Sequence, residues 1–164
     1  MARRGDIILF FYKYDPIAWL IRLASHSNWN HIGIMLHGTV ILDLRATQKR
    51  TAHIRYFLRS SIYRMKLLRI KGLTQEAREH VINAINKEPK VRIYYKMLWK
   101  FLLMFLGIPS DICNNCAEVI ARPLREKGFD ICPGKDVRLI NPEDFNKSDL
   151  TEDISNELTY KETL

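Results

Sequence analysis

Long apolar runs are scarce in this 164-residue chain. The most apolar stretch, Met97 to Ile108, is broken by Lys100 and falls short of the ~20 apolar residues that a bilayer span needs. It reads as a buried core helix, or, with Lys90, Arg92, Lys96 and Lys100 around it, as a helix lying on a membrane surface. Cysteine is sparse too: three residues, Cys113, Cys116 and Cys132, an odd number that suits no disulfide framework. The start, MARRGDIILFF, has a basic end but only a short apolar run before Lys13, Asp15 and Pro16, unlike a secretory leader. A reduced, cytoplasmic chain is therefore expected, peripheral to a membrane if the Met97–Ile108 helix lies on one. Zinc-finger spacing, ribonucleoprotein aromatics, a helix-turn-helix, internal repeats and low-complexity blocks are all missing, so no specific nucleic-acid partner is expected.

What is present is an ordinary globular balance, 47% hydrophobic and 27% charged, enough for one domain around one core. The net charge of +8 suits an anionic partner such as an acidic membrane surface, or serves solubility alone. From Asn146 onward the chain turns polar and acidic, which suggests a surface segment or a short docked helix. We expect a single catalytic domain over 1–150 and a polar tail over 151–164.

The apolar pattern predicts an α+β fold. Asp6 to Tyr12 reads as a buried strand, followed by a helix from Asp15-Pro16 to about Ser25. Trp29 to Leu36 and Thr39 to Leu44 read as a hairpin turning at His37-Gly38. Tyr63 to Ile70 is a third strand, and Thr74 caps a helix to about Asn86. Helices from about Arg92 to Leu106 and from about Cys113 to Lys127 follow, then a short strand over Val137 to Ile140.

Two residues suit nucleophilic chemistry. Cys116 follows a polar Asp-Ile-Cys-Asn-Asn loop at the head of an amphipathic helix, where free N–H groups stabilise a thiolate and an oxyanion. A small buried hydrophobe is the other reading of that cysteine. His31, inside a strand beside Gly33, is placed to take a thiol proton; His26, His37, His53 and His80 are rivals by residue type. A turn at His37-Gly38 puts Asp43 opposite or nearly opposite His31, where a carboxylate orients an imidazole. Cys113 and Cys116 also form a C-x-x-C, but a zinc site lacks a second ligand pair and a redox motif lacks its strand–helix context.

Taken in order, Gly5-Asp-Ile-Ile-Leu-Phe10, His31-Ile-Gly-Ile, Val40-Ile-Leu-Asp43 and Asn115-Cys-Ala-Glu-Val-Ile120 resemble the circularly permuted branch of the NlpC/P60 papain-like superfamily. The nearest likeness is to the YiiX/YebB-like cysteine hydrolases and their poxvirus relatives. The lecithin:retinol acyltransferase-like proteins are more distant. Tyr94-Tyr95 stands where those hydrolases often carry Tyr-Asp, and Asn141-Pro-Glu-Asp looks like their closing stretch. The resemblance implies a small antiparallel sheet packed against helices, with Cys116 as nucleophile, His31 as base and Asp43 as orienting acid. It implies a cysteine hydrolase of an amide or ester bond, in a peptide or peptidoglycan-type substrate, with no cofactor or metal. A lipid acyl hydrolase or acyltransferase at a membrane surface, and a non-catalytic binding protein, are the alternatives. Asn115, Tyr94 and Asn30 are the side chains considered as oxyanion donors beside the Cys116 N–H.

Overall fold

In a computed structural model of the chain, residues 2–14, 18–19, 22–23, 26–45, 48–59, 63–87, 94–112 and 115–158 are described. The architecture is α+β, as the apolar pattern predicts. Six antiparallel strands form one sheet, β1 (Ile7–Tyr12), β2 (His31–His37), β3 (Val40–Arg45), β4 (Gln48–His53), β5 (Tyr63–Ile70) and β6 (Thr151–Asp153). Their spatial order is β4-β3-β2-β1-β5-β6. Among the described residues the helices are α1 (Ile54–Leu58), α2 (Gln75–Lys87), α3 (Tyr94–Phe105), α4 (Cys116–Glu126) and α5 (Pro142–Lys147).

Strand alternation divides the sheet into two faces. Ile7, Leu9, Ile32, Ile34, Leu42 and Leu68 meet the apolar stripes of α2 and α4, including Val81, Ile85, Ile120 and Leu124. Each such side chain removed from water contributes ~1.5–3 kcal/mol, so this layer anchors the helix that carries Cys116. On the other face Ile8, Phe10, Met35, Ile41 and Leu67 pack against Ile54 and Phe57 of α1.

The Gly5-Asp6 start is structural. Gly5 adopts φ 88°, and its N–H donates to the Met35 carbonyl at 2.9 Å. Asp6, buried, accepts the Arg3 N–H and the Nε and Nη2 of Arg69, whose Nη1 and Nη2 also donate to Glu157. Those Arg69 contacts hold the Glu157 carboxyl down at about 2.

Several elements differ from the sequence expectations. No element is expected over 48–58, yet β4 and α1 lie there. The segment is too polar to read as a half-buried strand, and its basic residues suit the outer edge of a sheet, where unpaired backbone would otherwise recruit another chain. Val137–Leu139 is a 3-10 turn, not a strand, because the Asp136 carboxylate accepts the Arg138 N–H at 2.9 Å and starts a helical turn. The helix expected from Cys113 begins at Cys116, where Asn115 takes the extended cap conformation. The segment expected as a tail from Thr151 starts with β6, and Ile154 behind it is buried. Most of the helix expected over 15–25 lies outside the described residues; 18–19 and 22–23 are helical.

Candidate functional site

Hairpin register sets the geometry between His31 and Asp43. The turn is Gly38-Thr39, with Gly38 at φ 47°, and a bulge falls between Met35 and His37. Asp43 therefore lies opposite Gly33 rather than His31. The two-residue offset keeps His31 and Asp43 on one face, because side chains alternate with period two. A one-residue slip would have put them on opposite faces. The imidazole reaches diagonally, and its Nε2 lies 2.6 Å from Asp43 Oδ1.

Gly33, between them, has no room for a side chain. A Cβ there would lie 2.9 Å from the Leu42 carbonyl oxygen and 3.3 Å from the Phe10 ring. The sequence places this glycine beside His31, but only the register shows that it lets β3 close on β2 and bring Asp43 into reach.

Asp43 is fully buried, and its second oxygen accepts Arg50 Nε at 3.0 Å. Arg50 was given no role by the sequence, since β4 was not expected there. Phe10 and Tyr12 lie against the imidazole, with ring centroids 5.6 and 5.8 Å away and planes tilted under 30°. Before His31 the chain is held by three anchors. Ser27 Oγ bonds the Trp29 carbonyl, Glu143 of α5 accepts the Asn28 N–H at 2.9 Å, and Asn30 pairs with the backbone of Tyr12.

Burial lowers the pKa of His31, but hydrogen bonding to Asp43 and to the Cys116 thiol, together with their charges, outweighs it. The net result is a rise from 6.5 to about 9. With Nε2 engaged by Asp43, Nδ1 is the ring nitrogen left for sulfur. Cys116 is half-buried at the first position of α4. Asn115 Oδ1 accepts the Ala117 and Glu118 N–H groups at 2.9 Å each, and the Glu118 carboxylate accepts the Asn115 N–H, a complete capping box. The Val119 N–H donates to the Asn115 carbonyl. Among the described residues the Cys116 N–H alone in this first turn has no partner.

That turn is braced from behind by a buried ion pair. Lys100 of α3 and Glu118 are both fully buried, with Nζ 3.1 Å from Oε2. Lys100 also donates to the Ser110 carbonyl, and Glu118 is shared with Arg122. Lys100, an interruption of the apolar pattern in the sequence, is thus the most deeply buried of the described side chains of α3.

The side chains considered as oxyanion donors fare differently. Asn115 is the helix cap, and its Nδ2 points to the Arg138 carbonyl and Met104 Sδ. Asn30 spends both ends of its amide on the Tyr12 backbone, while its own N–H donates to the Phe10 carbonyl at 3.1 Å. Both amides are occupied by the fold, and the Tyr94 side chain lies outside the described residues. The rival histidines have other settings. His53 caps α1, His80 meets Glu126, His26 stacks on Phe105, and His37 ends β2, exposed. Cys113 lies outside the described residues, and Cys132 is a free thiol whose pKa burial, with Asp144 nearby, pushes up.

The fold is shared with a solved protein. Over 93% of this chain and 96% of the other, it is similar to the crystal structure of metalloprotein yiiX from Escherichia coli O157:H7, with a TM-score of 0.51 and 16% identity. At that identity the likeness speaks for the fold alone. No family model matches the chain, and no curated protein matches it. That neighbour is titled a metalloprotein; here no cluster of three or more His, Cys, Asp or Glu among the described residues is arranged to hold a metal ion. No helix among them is long and apolar enough to cross a membrane.

Proposed function

We propose that the protein is a thiol hydrolase that cleaves an amide or ester through an acyl-enzyme on Cys116. The observation that carries the reading is His31, held between a buried Asp43 carboxylate and a cysteine at the capped head of α4. With a pKa of about 9, His31 holds the proton at neutral pH, and the Cys116 sulfur attacks the carbonyl carbon. The carbonyl oxygen becomes an oxyanion facing the unpartnered Cys116 N–H. As the C–N or C–O bond breaks, His31 gives its proton to the leaving group, and a thioester remains. Neutral His31 then takes a proton from water, whose hydroxide attacks the thioester. The acid is released, and the proton returns to the His31–Cys116 pair. Asp43 neutralises and orients the imidazolium throughout.

A peptide or peptidoglycan-type amide is the leading substrate class. The apolar outer face of α3 favours a lipid acyl group as the second reading.

The test is intact-mass analysis after exposure to an activated acyl ester, with Cys132 as an internal control. One acyl adduct on Cys116 is expected, formed faster than on Cys132, discharged with time, and slowed by His31→Ala. Should Cys116 acylate no faster than Cys132, with His31→Ala making no difference, the proposal is wrong.

A further inference from the structure

Among the described side chains of α3, Lys100 is fully enclosed beside a buried Phe101, while Trp99, Leu102 and Phe105 are 55%, 46% and 50% exposed. The stripe continues through Leu106, Ile108 and Ile112 into the loop that leads toward Cys116. The helical residues 18–19 and 22–23 add Trp19 and Leu23, both exposed, and His26 stacks on Phe105 at 5.7 Å. A helix in a monomer's surface normally shows the reverse, with its cation in water and its tryptophan inside.

The charges on the helical segments themselves have one sign. Arg22 sits between Trp19 and Leu23, and Lys96 lies one turn before Trp99; no acid falls on α3 or among 18–19 and 22–23, and Asp111, in the loop before Ile112, is paired with Arg138. The whole chain carries +8. Exposed Trp, Phe and Leu with cations alone beside them, on a helix of 12 residues, match the chemistry of an anionic bilayer's interface: rings and aliphatic chains at the acyl boundary, Lys and Arg at the headgroups.

We infer that the exposed face of α3, together with Trp19 and Leu23, docks the protein on an anionic membrane surface, with the α4 end that carries Cys116 held beside the lipid headgroups. The connection is direct, because Lys100 ties α3 to Glu118 and Met104 meets the Asn115 cap. Docking deepens the second reading of the proposed hydrolase, in which a lipid acyl group rather than a peptide amide reaches Cys116, and for that step it rests on that reading. The docking itself needs no catalysis.

The experiment uses the full chain with Cys116→Ala, so that turnover plays no part. Vesicles of phosphatidylcholine alone, or with phosphatidylglycerol, are sedimented with the protein, and tryptophan emission is followed because Trp19 and Trp99 both lie on this face. The result expected is binding to the anionic vesicles with a blue shift, weakened by salt and at least tenfold weaker without phosphatidylglycerol. The triple variant Trp99→Ser/Leu102→Ser/Phe105→Ser should lose about 100-fold, equivalent to about 3 kcal/mol, while Tyr56→Ser, an exposed aromatic elsewhere, leaves binding unchanged. Unchanged melting of the triple variant shows that it still folds. The inference is overturned by absence of binding to either vesicle, or by binding that the triple variant retains. It is also overturned if the chain self-associates through this face in a way the triple variant abolishes, which would make a second copy the occupant. Acylation of Cys116 by a soluble ester is a separate measurement, so failure of docking and failure of the hydrolase reading are told apart.

Discussion

Replacing Lys100 by Met tests the buried brace behind Cys116 most directly. The substitution keeps the length and the apolar stem but removes the cation from a carboxylate that is itself fully buried. Breaking a buried pair by removing one partner costs ~3–5 kcal/mol, because the remaining charge is left without compensation. Glu118 keeps Arg122, whose side chain is 43% exposed, and the Asn115 N–H, so the lower end applies, about 3 kcal/mol. At ~2–4 °C per kcal/mol for a chain of this size, the melting temperature should fall by about 6–12 °C. Thermal unfolding at neutral pH, followed by circular dichroism, reads this directly. Lys100→Met/Glu118→Gln should be more stable than the sum of its single losses allows, by at least ~1 kcal/mol, since no charge is then stranded. A Lys100→Met protein that melts within about 2 °C of the parent, or strict additivity in the double variant, would refute the reasoning.

Other outcomes follow from the His31 cluster. The folded pKa of His31 lies above its unfolded value, so its contribution to stability is fully present below 6.5 and is lost as pH rises through about 9. The difference corresponds to about 3 kcal/mol, visible as a fall in urea midpoint across that window that His31→Gln flattens. Asp43→Asn keeps the shape but removes the carboxylate. The His31 titration, read by NMR, should move down, and Cys116 acylation should slow by about 100-fold or more. An unmoved titration would mean that Asp43 does not hold the imidazolium. Gly33→Ala forces a Cβ against the Leu42 carbonyl and should cost ~1–3 kcal/mol in chemical denaturation. The same change should slow acylation more than Gly38→Ala, whose turn has open space around it.

The sequence alone carried the α+β class, because an unbroken apolar run such as Ile7–Phe10 and the helical spacing of Ala77, Val81 and Ile85 depend only on which neighbours are apolar. It also carried the place of Cys116 in a first helical turn, from the polar loop before it, although the start was expected at Cys113 and the Asn115 cap sets it at Cys116. Its hairpin midpoint missed the register by two residues, yet pairing of His31 with Asp43 survived because the error was an even number. Tertiary structure alone decided the rest. Whether Lys100 lies in water or in the core depends on Glu118, distant in sequence, being buried against it. The hold of Arg50 on Asp43 depends on an edge strand too polar to announce itself. The spending of Asn30 and Asn115 on backbone groups depends on which N–H groups the fold leaves without partners. Local pattern reports what a residue prefers, whereas a buried charge or amide goes where a partner from another part of the chain meets it.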